Sequence, residues 1–209
     1  MRRFLLIRHG LPHEGHATRA DDPPLHADGH RHARRLARRL QAEGIDRIVC
    51  SPQQRAIDSA APLAKLLGLQ PEIFEGLAEV DRHCGRYRSA DTIRAEEPGR
   101  WAEFLASPAR FMGRDPEVYR DSVVAAFSAI VGDARGTRIA VFSHGMTIKT
   151  ILCTALGLPE AVYARFSIAH CSVTRVSGSS MPELRIDSVN ESLCALAKRP
   201  KAAGTGQTF

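Results

Sequence analysis

Apolar and polar positions along this chain follow two periods. Phe4-Leu5-Leu6-Ile7 and Ile139-Ala140-Val141-Phe142 are unbroken apolar runs, the pattern of strands covered on both faces. They predict strands over residues 3–8 and 138–143. Ile45 to Cys50 predicts another, less uniform because of Asp46 and Arg47, and Pro71 to Phe74 a short one. Elsewhere the period lengthens to that of a helix. Residues 30–43 carry Ala33, Leu36, Ala37 and Leu40 on one face and end near Gly44. Gln53 to Leu67 carries Ala56, Ile57, Ala60, Leu63, Ala64 and Leu67, with Gly68 as its stop. Asp115 to Asp133 reads as a long helix with Asp115 as cap and Pro116 in the first turn. Met146 to Leu156 reads as one more.

The pattern is less regular from Gly76 to Arg114, where Pro98 and Pro108 bracket a helix bearing Trp101, Phe104 and Leu105. Two further strands are expected near 165–176 and 183–189, joined by Ser177-Gly178-Ser179-Ser180. The polar end of the chain reads as a disordered tail over 196–209, leaving one domain over 1–195. Strands and helices in alternation predict an α/β class: a three-layer α/β/α sandwich around a mostly parallel central sheet.

Composition changes this picture little. Among 209 residues the formal net charge is +6, which raises the question of nucleic acid. Much of the excess is Arg31, Arg34, Arg35, Arg38 and Arg39, spaced as the solvated face of one helix. Only 6% of residues are aromatic, which leaves no stacking platform for single strands. Nucleic acid is therefore not an expected partner. No stretch approaches the roughly 20 apolar residues of a membrane span, and the N-terminal apolar run is too short for a signal peptide. Five scattered cysteines without Cys-x-x-Cys spacing suit reduced thiols in a cytoplasmic protein. A homodimer is compatible with the sequence and not specified by it.

The candidate chemistry lies where the two apolar runs end. Arg8-His9-Gly10 follows the first, and Ser143-His144-Gly145 follows the second. Open α/β sheets place ligands outside the carboxyl ends of their strands. Two histidines there, one beside an arginine, describe a pocket for an anion attacked by imidazole. Arg55 starts the helix after the second strand, where a helix N-terminus can add its own positive field. Leu77-Ala78-Glu79-Val80-Asp81 brings carboxylates into a nearby loop.

These segments, in this order, resemble the histidine phosphatase superfamily, in its phosphoglycerate mutase-like branch. The matching residues are Arg8-His9-Gly10, Asp22-Pro23-Pro24-Leu25 followed by Gly29, Ser51-Pro52 with Arg55-Ala56, Leu77 with Glu79, and Ser143-His144-Gly145. They span residues 1 to roughly 190. The resemblance implies a small phosphorylated metabolite as substrate and His9 as a nucleophile that carries a transient phosphohistidine. It implies a phosphate pocket of Arg8, Arg55 and His144, and Glu79 as proton donor, with no metal and no cofactor. Hydrolysis of phosphomonoesters is the expected reaction. A mutase transferring phosphoryl between hydroxyls, and a non-catalytic phosphate-binding relative, are the alternatives.

Two departures from the family pattern stand out. Val80-Asp81-Arg82-His83-Cys84-Gly85-Arg86-Tyr87 follows Glu79, where the family usually has glycine and then an aromatic-Glu-Gly group, so Asp81 is a second candidate for the acid. Leu11 to Arg19 lacks the family's polar run ending in Asn, a role open to Thr18 or Arg19. Arg82, His83 and Arg86 are candidates for the pocket mouth or for plain solvation, and Cys84 is a candidate redox thiol. His13, His16, His26, His30 and His32 match no metal-ligand spacing and read as solvent-exposed.

Overall fold

The computed structural model of the protein describes residues 1–16 and 19–192. Its strands are β1 Arg2–Arg8, β2 Arg47–Cys50, β3 Glu72–Ile73, β4 Arg138–Ser143, β5 Val173–Gly178 and β6 Arg185–Glu191. They form one sheet in the order β3-β2-β4-β1-β5-β6. Pairs β1·β4, β2·β4 and β2·β3 are parallel, while β5 runs antiparallel to both β1 and β6. The helices are α1 Ala27–Leu40, α2 Gln54–Leu67, α3 Ala90–Glu96, α4 Trp101–Ala106, α5 Pro108–Phe111, α6 Pro116–Gly132 and α7 Gly145–Ala155.

Side chains alternate across a strand, and here both directions are apolar. Phe4 and Leu6 of β1, with Ile139 and Val141 of β4, pack against Val123, Phe127 and Ile130 of α6 and Ile148 and Ile151 of α7. Leu5 and Ile7, with Ala140 and Phe142, pack against Leu36 and Leu40 of α1 and Ala60 and Leu63 of α2. Each fully buried Leu, Ile or Phe contributes roughly 1.5–3 kcal/mol, so the four central residues of β1 anchor the sheet from both sides. The class is the predicted one, a mixed sheet between two helical layers.

Several boundaries differ from those the pattern predicts. Helix α1 begins earlier than residue 30, because His26 caps it by accepting the Asp28 amide on Nδ1 at 3.2 Å. The strand expected near 165–176 begins only at Val173. Residues Glu160–Arg165 form a 3-10 turn and Cys171 turns the chain at φ 56°. That strand also runs on through Ser177 and Gly178, which pair with Arg3 and Arg2 rather than forming the connecting turn. The irregular stretch holds three short helices instead of one, with Ser89 capping α3 and Ser107 capping α5. The tail expected over 196–209 and the end of the domain at 195 lie outside the described residues.

Candidate active site

Strands β1 and β4 lie side by side, so their carboxyl ends bring His9 and His144 together. The amide of His9 donates to the carbonyl of Ser143 at 2.9 Å, and that of Ser51 to Phe142 at 2.9 Å. Three strand ends are thus stitched at one level. The His9 and His144 rings stand 5.1 Å apart, and His170 lies 5.3 Å from His9 on the segment leading into β5.

Two glycines allow the loop after β1 to close over this level. A Cβ on Gly10 would meet the Gly29 carbonyl oxygen at 2.9 Å, and one on Gly29 would meet that of Leu11 at 2.2 Å. The amide of Gly10 donates to Ser59 Oγ at 2.8 Å, and Ser59 donates in turn to the Arg55 carbonyl at 2.7 Å. The loop bearing His9 is therefore tied to the helix bearing Arg55.

His9 is only 2% exposed. Its Nδ1 lies 2.7 Å from the Gly10 carbonyl oxygen, which can only accept. Nδ1 therefore carries the proton and Nε2 the lone pair. Burial first, then the positive charge of Arg55 and the neighbours His144, Arg8 and His170, hold the imidazole well below its usual pKa. A neutral ring at neutral pH follows. His144 is likewise buried and lowered, by burial and then by Arg55 and Arg8. Its Nε2 meets Ser51 Oγ at 2.7 Å.

Arg55 is fully buried. Its Nη2 donates to both Asp81 carboxylate oxygens at 2.7 and 2.9 Å, and its guanidinium carbon lies 4.8 Å from the centre of the Tyr87 ring. Its Nη1 lies 3.7 Å from the Asp22 carboxylate, and its Nε and Nη1 have no hydrogen-bond partner. The same holds for Arg8 Nε, His144 Nδ1 and His170 Nε2. Leaving such a nitrogen buried and unpaired costs about 1–3 kcal/mol, more for a charged group. Several of them around one imidazole describe a place where an oxyanion is at home. Arg8 is steered by donating Nη1 to the Ile168 carbonyl at 2.6 Å. The N-terminus of α2 is capped by Asp22, whose oxygens accept the Gln54 amide, so the helix end that faces the cavity is that of α7.

Glu79 is 9% exposed and well held. Its Oε1 accepts from the Val80 amide at 3.0 Å and the Tyr119 hydroxyl at 3.1 Å, and its Oε2 accepts from the Met146 amide at 3.0 Å. Burial and then the Asp81 charge raise its pKa above the usual carboxylate value, against the pull of those amides and of Arg55. Gln53 secures the loop from below, accepting the Glu79 amide on Oε1 at 2.6 Å and donating Nε2 to Asp81 at 3.1 Å.

A cavity of about 150 Å³ is lined by Arg8, His9, Glu79 and Asp81 at one end. Arg55 and His144 are not part of that lining but adjoin His9, the His144 ring at 5.1 Å and Arg55 through its charge. The structure thus brings all five expected residues to one place and divides the two carboxylates. Asp81 holds Arg55, and Glu79 faces the cavity with a raised pKa. Gln53, Ser59, Tyr119 and His170 were not found from sequence. The signal for His170 is its position just before a strand beside β1.

Other candidates resolve differently. Thr18 lies outside the described residues, and Arg19 turns to Gln54 and Asp22. Arg82 pairs with Glu75 and Arg86 with Glu96; neither lines the cavity, where Tyr87 and Arg88 stand instead. The Cys84 thiol contacts the Met112 carbonyl at 3.3 Å, and burial raises its pKa, contrary to a reactive thiolate. His13 stacks on His26 with ring centres 5.9 Å apart, and His16 meets His13 edge-on. Among the described residues no cluster of three or more His, Cys, Asp or Glu is arranged to hold a metal, and no helix is long and apolar enough to cross a membrane.

Comparison with known proteins gives the family and the fold. The sequence profile of the histidine phosphatase superfamily (branch 1) matches residues 4–191. A protein named probable phosphoglycerate mutase GpmB from Cronobacter sakazakii is 29% identical over 191 residues, covering 88% of each chain. Among solved structures, mycobacterial glucosyl-3-phosphoglycerate phosphatase in complex with VO3 superposes at a TM-score of 0.74, with 21% identity over 92% of this chain and all of that one. Phosphoserine phosphatase from Entamoeba histolytica, in complex with 3-phosphoglyceric acid, superposes at 0.71 with 20% identity over 94% of this chain and all of that one.

Proposed function

Because the chain belongs to the histidine phosphatase superfamily (branch 1), we propose that it hydrolyses small phosphomonoesters through a phosphohistidine on His9, with Glu79 as proton donor. The observation that carries this is the group of buried nitrogens without hydrogen-bond partners on Arg8, Arg55, His144 and His170 around a neutral His9. They supply hydrogen bonds and charge to a transferring phosphoryl group, the chief requirement of such a reaction.

In the first step the Nε2 lone pair attacks phosphorus and the bond to the alcohol oxygen breaks. The Glu79 proton passes to that oxygen, and the neutral alcohol leaves. In the second step water attacks phosphorus, its proton goes to the Glu79 carboxylate, and the N–P electron pair returns to Nε2. The Nδ1 hydrogen bond to Gly10 keeps the attacking nitrogen the same in each cycle. Arginine suits Arg8 and Arg55 because its planar fork keeps its charge at any working pH.

Asp81 is a poorer acid because Arg55 and Gln53 already occupy it. We place the reaction in the cytoplasm and take the substrate to be a phosphorylated metabolite. Phosphatase activity of the His9→Ala variant on an aryl phosphate tests the mechanism: loss to background is expected, and turnover near wild type overturns it. The name of the Cronobacter sakazakii relative favours a mutase as second reading. Isomerisation of a phosphoglycerate without release of phosphate would establish that reading instead.

A further inference from the structure

The candidate active site lies at the carboxyl ends of β1 and β4, and the opposite edge of the sheet carries a second cavity, of about 310 Å³. Its lining includes Arg3, Arg138, Arg175 and Arg185, against the carboxylates of Glu43 and Asp187. The pairing register sets most of these in a line. Arg3 of β1 pairs with Arg138 of β4 on one side and with Ser177 of β5 on the other, and Ser177 pairs with Arg185 of β6. One row across four strands therefore reads Arg138, Arg3, Ser177, Arg185. Paired residues share a face of the sheet, here the face that Leu5 presents to α1.

Like charges directly opposite each other on neighbouring strands destabilise a sheet. The carboxylates at hand relieve only the flanks of this row. Glu43 accepts from Arg175 Nη1 and Nη2 at 3.1 and 2.8 Å, and Arg185 pairs with Asp187 at 2.9 Å. At the centre the Arg138 guanidinium donates to the Glu43 backbone carbonyl and has no carboxylate partner among the described residues. The Arg3 side chain has no hydrogen bond or ion pair among them at all. Beside Arg3, Ser177 is 1% exposed and its Oγ has no hydrogen-bond partner. A buried hydroxyl is costly to leave in that state. Two guanidinium groups without counterions and one unpaired hydroxyl thus stand side by side in a single row.

We propose that Arg138, Arg3 and Ser177 form the floor of a separate anion site, flanked by Arg175 and Arg185, that binds a small oligophosphate. Strands stand about 4.8 Å apart, so successive members of the row meet successive phosphoryl groups of one linked chain. Each guanidinium offers paired donors to a phosphoryl group, and the Ser177 hydroxyl adds one between them. A lone carboxylate would neutralise one arginine and leave its neighbour opposed. The cavity is concave and at the small end of ligand pockets, which favours a free anion over an extended surface. His9 follows Arg3 by six residues, roughly 20 Å along an extended strand, so the two sites are distinct. The bound anion joins β1 to β4, the strands whose other ends carry His9 and His144. It does so whether or not His9 transfers phosphate.

Amide NMR of the isotope-labelled full chain, titrated with sodium tripolyphosphate, tests the site by location. Shifts are expected at Arg3, Arg138, Ser177 and Arg185, with a dissociation constant raised about tenfold or more in Arg3→Gln. Arg31→Gln, which removes a charge near the start of α1, should leave that constant nearly unchanged. Additional shifts around Gly10 and Gly145 that Arg3→Gln does not weaken also support the proposal, since they report the other cavity filling independently. Shifts confined to Gly10, Gly145 and their neighbours overturn it. So does equal weakening by Arg3→Gln and Arg31→Gln, because net charge alone then accounts for binding.

A second variant reads the hydroxyl. Ser177→Ala removes a group that has no partner in the free protein, so its Tm without ligand should equal or exceed that of wild type. The dissociation constant read at the Arg3 amide should nonetheless rise several-fold. Unchanged binding overturns the proposal, whatever the Tm. Sedimentation with phosphatidylglycerol vesicles separates a free anion from a lipid headgroup. Wild type that binds tripolyphosphate and stays in the supernatant supports the proposal. Wild type that sediments with vesicles and ignores tripolyphosphate overturns it in favour of a membrane surface.

Discussion

The two ends of the cavity are built from different material. The end around His9 rests on regular elements: β1 and β4 side by side, α2 beneath, and glycine contacts that leave no slack. The far end is assembled by residues 87–112, where three short helices carry Ile93, Phe104 and Phe111 as a separate small cluster. The first end holds charge that must not move during phosphoryl transfer. The second, in the proposed reaction, would meet an alcohol whose shape differs between substrates. Rigid positioning belongs where the chemistry is constant, and irregular chain where the ligand varies.

The comparison can be broken most directly at Arg55. Arg55→Ala leaves Asp81 buried without its partner, so a stability loss of about 3–5 kcal/mol is expected in chemical denaturation. Activity on every substrate should be lost with it. Retained activity on any phosphomonoester would show that the constant end is not constant.

Glu79→Gln comes next. Turnover of alkyl phosphates should fall about 10²–10⁴-fold, while aryl phosphates with good leaving groups should be much less affected. Equal effects on both would remove Glu79 from the proton transfer.

At the variable end, Met112→Ala should change KM by about tenfold, unequally across substrates, with kcat nearly constant. A uniform fall in kcat would erase the distinction between the two ends.

The smallest effect is expected at Tyr119, a residue of the long helix α6 that reaches Glu79 in the loop. Glu79 must be protonated to act, so activity falls as pH rises through its raised pKa. His9 stays neutral below the usual histidine value, so activity persists into mildly acidic pH. Tyr119→Phe removes a donor to the ionised carboxylate and should move the alkaline limb upward, with kcat changed less than about tenfold. A limb that stays in place would detach Tyr119 from the acid.

What was legible in the sequence follows the same division. Strand ends that stop at His-Gly are local signals, and β1, β4, α2 and the five expected residues are where the pattern put them. Gln53 and Ser59 were not legible, because each acts through partners far along the chain: Gln53 on Glu79 and Asp81, Ser59 on Gly10. The division of labour between Glu79 and Asp81 was hidden for a related reason. It depends on Arg55 reaching one and the Met146 amide the other, across the sheet. In the irregular stretch, Ser89 and Ser107 are local cap signals, whereas the choice between pocket mouth and solvation for Arg82 and Arg86 depends on the acidic partners Glu75 and Glu96, which hold both away from the cavity.

The place of β4 in the sheet has a consequence for the order of assembly. This late strand lies between β1 and β2, so Arg3 pairs with Arg138 and Arg47 with Ile139. A chain emerging from the ribosome holds β1, α1 and β2 long before the strand that joins them exists. Until then two apolar strands have unpaired edges, and such long-range pairing is slow to form. The end around His9, where three strand ends meet, is thus among the last to be assembled.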